Sequence, residues 1–112
     1  IFSKLTDAFI ERAHEANLLK AHMKSSPYPV IVMGDFNEVP YTRAYAIISE
    51  NMQDGFVEKG LGRGTTYGDF GTMPAIRIDY ILADNHFEFL SFKNYRIDLS
   101  DHEPITAKLK LR

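Results

Sequence analysis

Five side chains at the ends of apolar segments set the chemical question: Asp35 and Asn37 in PVIVMGDFN, Asp79 in AIRIDYIL, and Asp101 and His102 in LSDHEPI. Three carboxylates, an amide and an imidazole suit the attack of water on a phosphate ester. Carboxylate and amide oxygens ligate a hard divalent cation such as magnesium, which offsets charge on a phosphate and on its leaving oxygen. In that scheme Asp101 is a metal ligand, and Asp35 orients or deprotonates the attacking water. Asn37, two residues on and expected to face the same way, presents amide hydrogens to a transferring oxygen. His102 donates to a phosphoryl oxygen or manages the nucleophile's proton once a carboxylate fixes its tautomer, and Asp79 is the candidate for that task.

These residues act together only if three separate segments meet. Val30, Ile31, Val32 and Met33 form a short continuous apolar run, the signature of a strand covered on both faces. It delivers Asp35 and Asn37 to a sheet end, with Phe36 turned into the core. Upstream, Leu5, Phe9, Ala13, Ala16, Leu19 and Met23 recur at spacings of 4, 4, 3, 3 and 4, which predicts an amphipathic helix from Ser3 to about Lys24. Ser3 or Thr6 is the expected cap, and the prolines of SSPYP end the helix. A second, short helix is expected from about Tyr41 to Glu50, with Pro40 at its start.

Gly60 to Pro74 holds five of the seven glycines and reads as loop, around a short strand at Thr65 to Tyr67. Three strands follow, at Ile76 to Ala83, Phe87 to Tyr95 and Ile105 to Leu111, with ADNH (Ala83 to His86) as the turn between the first two. In the last, Ile105, Ala107, Leu109 and Leu111 alternate with Thr106, Lys108 and Lys110, so one face is apolar.

Other side chains have weaker claims. Arg43, Arg63, Thr66, Tyr67 and Arg77 are candidates to line a phosphate or substrate groove, although each also reads as ordinary loop or helix surface. Arg77 alternates onto the same face as Asp79, so an ion pair between the two is a further expectation. Phe87, Phe89 and Phe92 read as core rather than as a stacking platform. Glu11, Glu15, His14 and His22 read as a solvated helix face.

The composition sets bounds. At 112 residues, 45% hydrophobic and 25% charged, the chain is at most one domain with one modest core. Lys+Arg 13 against Asp+Glu 15 leaves a formal charge of −2, so no bulk basic field advertises tight nonspecific binding of duplex nucleic acid. The absence of cysteine excludes a disulfide framework and thiolate catalysis. No apolar run reaches the roughly 18 residues of a membrane span. The first residue is Ile1 rather than methionine, which reads as a fragment or processed product.

GDFN, RIDYIL and SDHEPI, in this order and at these spacings, resemble the endonuclease/exonuclease/phosphatase superfamily. The resemblance runs over residues 1–112 but covers the second half of such a domain. It implies an α+β fold: the C-terminal half of a four-layer α/β/β/α sandwich, mostly antiparallel sheet with flanking helices. It also implies a magnesium- or manganese-dependent hydrolase of phosphodiesters or phosphomonoesters, of bacterial type. Carried over by motif, Asp35 activates the water and Asn37 contacts the transition state, both within reach of a second metal. Asp79 orients the imidazole, Asp101 binds metal and His102 is the catalytic histidine. Substrates of this class include nucleic acid, phospholipid headgroups and small phosphoesters.

The family's principal metal-binding glutamate, an early asparagine, and a second histidine or tyrosine lie in the half of the domain that precedes this chain. The expectation is therefore a poor catalyst on its own. The alternative is a noncatalytic fragment or interaction module that keeps the motifs without a complete site. A missing half should also leave the apolar face of the last strand bare, which predicts a homodimer through that sheet face. Localisation stays open between cytoplasmic and membrane-associated, because similar bacterial proteins sometimes carry membrane segments upstream.

Overall fold

The computed structural model describes residues 2–68, 75–97 and 100–112, and of residues 2–6 the backbone alone. In chain order its elements are α1 (Phe2–Lys24), β1 (Ile31–Asp35), α2 (Arg43–Ser49), β2 (Gln53–Asp54), α3 (Gly55–Lys59), β3 (Asp79–Ala83), β4 (Phe87–Asn94) and β5 (Ile105–Leu111). They build two antiparallel sheets, one ordered β1-β3-β2 and the other a β4-β5 pair. The fold is α+β, with helices beside antiparallel sheet.

The continuous apolar character of β3 follows from its place between two layers. Tyr80 and Leu82 project to one side and join Ala16 and Met23 of α1 and Ala44 and Ile48 of α2. Ile81 and Ala83 project to the other and join Phe89 and Phe92 of β4. Each face therefore has its own core, and burying a side chain such as Leu82 contributes about 1.5–3 kcal/mol. β1 lies on one flank of β3, in a register that sets Ile31 opposite Ala83 and Asp35 opposite Asp79.

The backbone of α1 is helical from Phe2, and the side chains of Ser3 and Thr6, the expected caps, lie outside the described residues. Ala16 and Met23 carry the expected buried face, while Phe9 is 49% exposed and the side chain of Leu5 lies outside the described residues. Glu11, His14, Glu15 and His22 are exposed, as a solvated face requires. Lys20 does something the periodicity did not foretell. Its ammonium donates to the carbonyls of Ile48, at 3.1 Å, and Glu50, satisfying the C-terminal end of α2. Burial lowers its pKa. At the other end α2 starts at Arg43, later than the expected entry at Pro40–Tyr41, because the hydroxyl of Thr42 makes the cap by accepting from the Tyr45 N–H.

β4 and β5 pair along their lengths with one irregularity between Phe89 and Ser91. Ile105, Ala107 and Leu109 are partly buried against the Phe89–Phe92 cluster. The homodimer expectation rested on that row lying bare. The row packs within the chain, leaving Leu111 as its exposed member at 61%, so the expectation loses its basis. The aromatic stripe is core, as expected, and the irregularity between Phe89 and Ser91 is what brings Phe92 onto the same face as Phe89. The turn after β3 is fixed by Asp84, whose carboxylate accepts from the N–H groups of Val30 and His86 at 2.7 and 2.9 Å. Residues 69–74 of the glycine-rich stretch lie outside the described residues.

Candidate active site

The β1–β3 ladder ends on two carboxylates directly opposite each other, Asp35 and Asp79. Like charges in that position repel, so their retention calls for a cation or a proton between them. His102 supplies one. Its Nδ1 lies 2.8 Å from Asp79 Oδ2, and its Nε2 lies 3.5 Å from Asp35 Oδ2. The hydrogen bond with Asp79 is the main reason the imidazole pKa is raised; partial burial opposes it, and the charges of Asp79, Asp35 and Asp101 reinforce it. Side chains of His102 and Asp35 remain 32% and 36% exposed, so the cluster is open to a ligand.

Local backbone explains how each group is presented. Gly34, paired with Tyr80 just before the ladder's end, takes φ +144°, a region side-chain-bearing residues rarely enter. Phe36 then packs its ring on Tyr80, with centroids 4.9 Å apart. Its N–H donates to the carbonyl of Ile78. Asn37 follows at φ +52°, with its N–H donating to Asp35 Oδ1 at 2.8 Å. A turn closed on Asp35, rather than strand alternation, therefore sets Asn37 beside it. Tyr67 lies against the imidazole, ring centroids 4.9 Å apart.

The remaining candidates divide. Asp101 is exposed and accepts a hydrogen bond from Ser100 Oγ at 3.3 Å. Arg63 and Arg77 share a cleft of about 340 Å³ with Tyr41, Thr65 and Ile76. Arg43 lines a different cleft, beside Phe9 and Glu38. Thr66 is fully buried, which removes it from the substrate groove. A cleft of about 710 Å³ between the end of α1 and β1 is lined by none of these residues, so volume alone does not mark the site.

The expected Arg77–Asp79 pair is replaced by another. Arg77 forks onto both oxygens of Asp54, at 2.8 and 3.1 Å, and lies over the rings of Phe56 and Tyr80. Asp54 also accepts from the Tyr45 hydroxyl at 2.5 Å and from the Phe56 N–H at 3.1 Å. Burial, with Asp54 alongside, pushes the Tyr45 phenol up to about 12. The strand ladder begins only at Asp79, so the alternation that put Arg77 and Asp79 on one face does not extend back to Arg77. Nothing in the reading of the sequence singled out Asp54. Its signal was an aspartate just before a short helix, the position of an N-cap, which it fills.

Among the described residues, Asp35, Asp79 and His102 are the group whose ligating atoms lie close enough to share a metal ion, all within 4.8 Å of one another. The donor set is rich in carboxylate oxygen, and Asp101 and Asn37 adjoin it in sequence. Such donors fit a hard divalent cation.

An antiparallel α+β frame thus ends in two facing carboxylates bridged by a histidine. The model of the endonuclease/exonuclease/phosphatase family matches residues 4–102, and the chain belongs to that family. Among solved structures it is similar to an endonuclease/exonuclease/phosphatase from Bacteroides vulgatus, with 29% identity and a TM-score of 0.77 over 90% of this chain and 44% of that one. A functionally unknown conserved protein from Enterococcus faecalis V583 gives 21% identity and a TM-score of 0.76, again over 90% and 44%. The mannosyl-6-phosphatase Bt3783 of Bacteroides thetaiotaomicron gives 22% and 0.68 over 89% and 46%. The last two likenesses concern the fold alone. The chain thus spans under half the length of these solved relatives. No curated protein matches it. No described helix is long and apolar enough to cross a membrane.

Proposed function

We propose that this chain carries the histidine half of a divalent-metal-dependent phosphoesterase site. The observation that carries the reading is His102 held between Asp79 and Asp35 at the open end of the β1–β3 ladder. Asp79 accepts from Nδ1–H, which leaves Nε2 to face a phosphoryl oxygen or the proton of the nucleophile. Asp35 orients the attacking water and takes its proton. Asn37, fixed by the turn on Asp35, donates to an oxygen of the phosphate as charge builds there. Asp101, with Asp35 and Asn37, would hold magnesium or manganese. When bound, the ion offsets charge on the phosphate and on the leaving oxygen.

The substrate is a phosphate ester; Tyr67, whose ring lies against His102, supports a contact with its remainder, and Arg63 in the cleft beside Thr65 is the further candidate. A sugar monophosphate is the first to try, because one fold neighbour is a mannosyl-6-phosphatase. The alternative, a noncatalytic module, draws on the chain spanning under half of its solved relatives. The test is phosphate release from mannose 6-phosphate and hydrolysis of bis-p-nitrophenyl phosphate and plasmid DNA, with and without magnesium or manganese. It is run on this chain and on the longest natural polypeptide that contains it. Metal-dependent turnover of any substrate supports the enzyme reading; none, in either polypeptide, moves the balance to the module.

A further inference from the structure

The contact between Asp79 and His102 is set by a third segment, Thr66–Tyr67. Thr66 is fully buried, and its hydroxyl oxygen accepts from the N–H groups of both Ile78 and Asp79, each at 3.1 Å. Its own N–H donates to the Ile76 carbonyl at 2.8 Å, and its carbonyl accepts from the Glu103 N–H at 2.6 Å. Tyr67 continues the same clasp with isolated antiparallel bridges to Ile76 and to His102. One side of the segment thus grips the chain leading into β3, and the other grips the residue after the histidine.

A hydroxyl is the group the geometry requires. Its oxygen has two lone pairs, and two buried backbone donors converge on it, so it is saturated. Removing it strands both donors, each at about 1–3 kcal/mol. The neighbouring backbone would then rotate or shift to find acceptors, and the Asp79 carboxylate is on the residue that moves. Valine matches threonine in shape and accepts nothing, whereas serine keeps the oxygen.

We propose that Thr66 is a positioning residue whose hydroxyl aims the Asp79 carboxylate at His102 while its carbonyl anchors the histidine segment through Glu103. It touches no substrate. The proposal rests on the reading of His102 as the reactive imidazole, and its tests separate the two.

In the longest polypeptide that shows activity, Thr66→Val is expected to lower kcat about 10- to 100-fold with KM unchanged, the scale of an ångström's misplacement at a reacting group. Thr66→Ser should restore most of kcat. A kcat unchanged in Thr66→Val, or a loss in KM alone, overturns the proposal. Two measurements need no turnover. In the wild-type chain with the imidazole neutral, nitrogen-15 spectra of His102 should show the proton on Nδ1, and Thr66→Val should lose that preference while Thr66→Ser keeps it. Should the valine variant fail to fold, hydrogen exchange in the wild type decides: the Ile78 and Asp79 amides are expected to be protected. Exchange at the rate of a free amide, or a His102 tautomer indifferent to Thr66, overturns the clasp. Lack of turnover in wild type with the spectra as expected overturns the phosphoesterase reading and leaves the clasp standing.

Discussion

Two carboxylate–cation clusters sit on either side of residues 77–79 and differ in almost every respect that burial controls. In one, Asp54 and Arg77 have side chains only 5% and 10% exposed, and Asp54 accepts from a guanidinium, a phenol and a backbone N–H. In the other, His102 and Asp35 are about a third exposed, and the His102–Asp35 contact, at 3.5 Å, is long for a hydrogen bond. The first is closed and saturated, as a structural pair must be to offset its desolvation. The second keeps ligand capacity facing solvent, which is what a metal and a phosphate need. Residue types alone do not separate structure from chemistry here; the count of satisfied lone pairs and the access of water do.

Variants can break this comparison from either side. The largest effect is expected on activity: Asp79→Asn or His102→Ala should lower phosphoester turnover by about 10²–10⁴-fold, the usual worth of a positioned acid–base group, with little change in thermal stability. Steady-state kinetics beside a melting curve checks both halves of that statement. Next, Arg77→Met leaves Asp54 charged and buried without its cation. Urea titration should report a loss of about 3–5 kcal/mol. Should Arg77→Met leave stability intact and His102→Ala collapse it, the assignment of the two clusters is reversed. A smaller change, about 1 kcal/mol, is expected for Thr42→Ala, which removes the α2 cap.

The pH dependence sharpens the same contrast. Hydrogen bonds from Val30 and His86 outweigh burial and lower the pKa of Asp84 from 3.8. A depressed carboxylate contributes stability that is present above 3.8 and is lost as pH falls through the lower folded value. The raised pKa of His102 has the opposite sign: its contribution is present below 6.5 and is lost as pH rises through the folded value above that. Metal-free urea midpoints across pH should show both limbs, with Asp84→Asn removing the acid one and His102→Ala the alkaline one.

Much of this was legible in the amino-acid sequence. The apolar run Val30–Met33, the alternation from Ile105 to Leu111 and the strand ends at Asp35 and Asp79 are local patterns, and local patterns report period and polarity. The convergence of Asp35, Asp79 and His102 was readable because three motifs of matching chemistry lie at the ends of apolar segments. What was not legible depends on contacts between segments 9 to 28 residues apart. Arg77 leaves Asp79 for Asp54, Lys20 reaches back to the end of α2, and Thr66 turns inward because the chain at Ile76 pairs with Tyr67. Charge alternation along a strand gives a side, but the partner on that side comes from another element.

The most direct test of the central claim is a side-by-side assay of phosphoester hydrolysis by wild type, His102→Ala and Arg77→Lys, with magnesium or manganese present, in the longest natural polypeptide that contains this chain. The expected result is metal-dependent turnover in wild type, turnover largely retained in Arg77→Lys, and loss of about 10²-fold or more in His102→Ala with its fold intact. Equal turnover in wild type and His102→Ala would contradict the account.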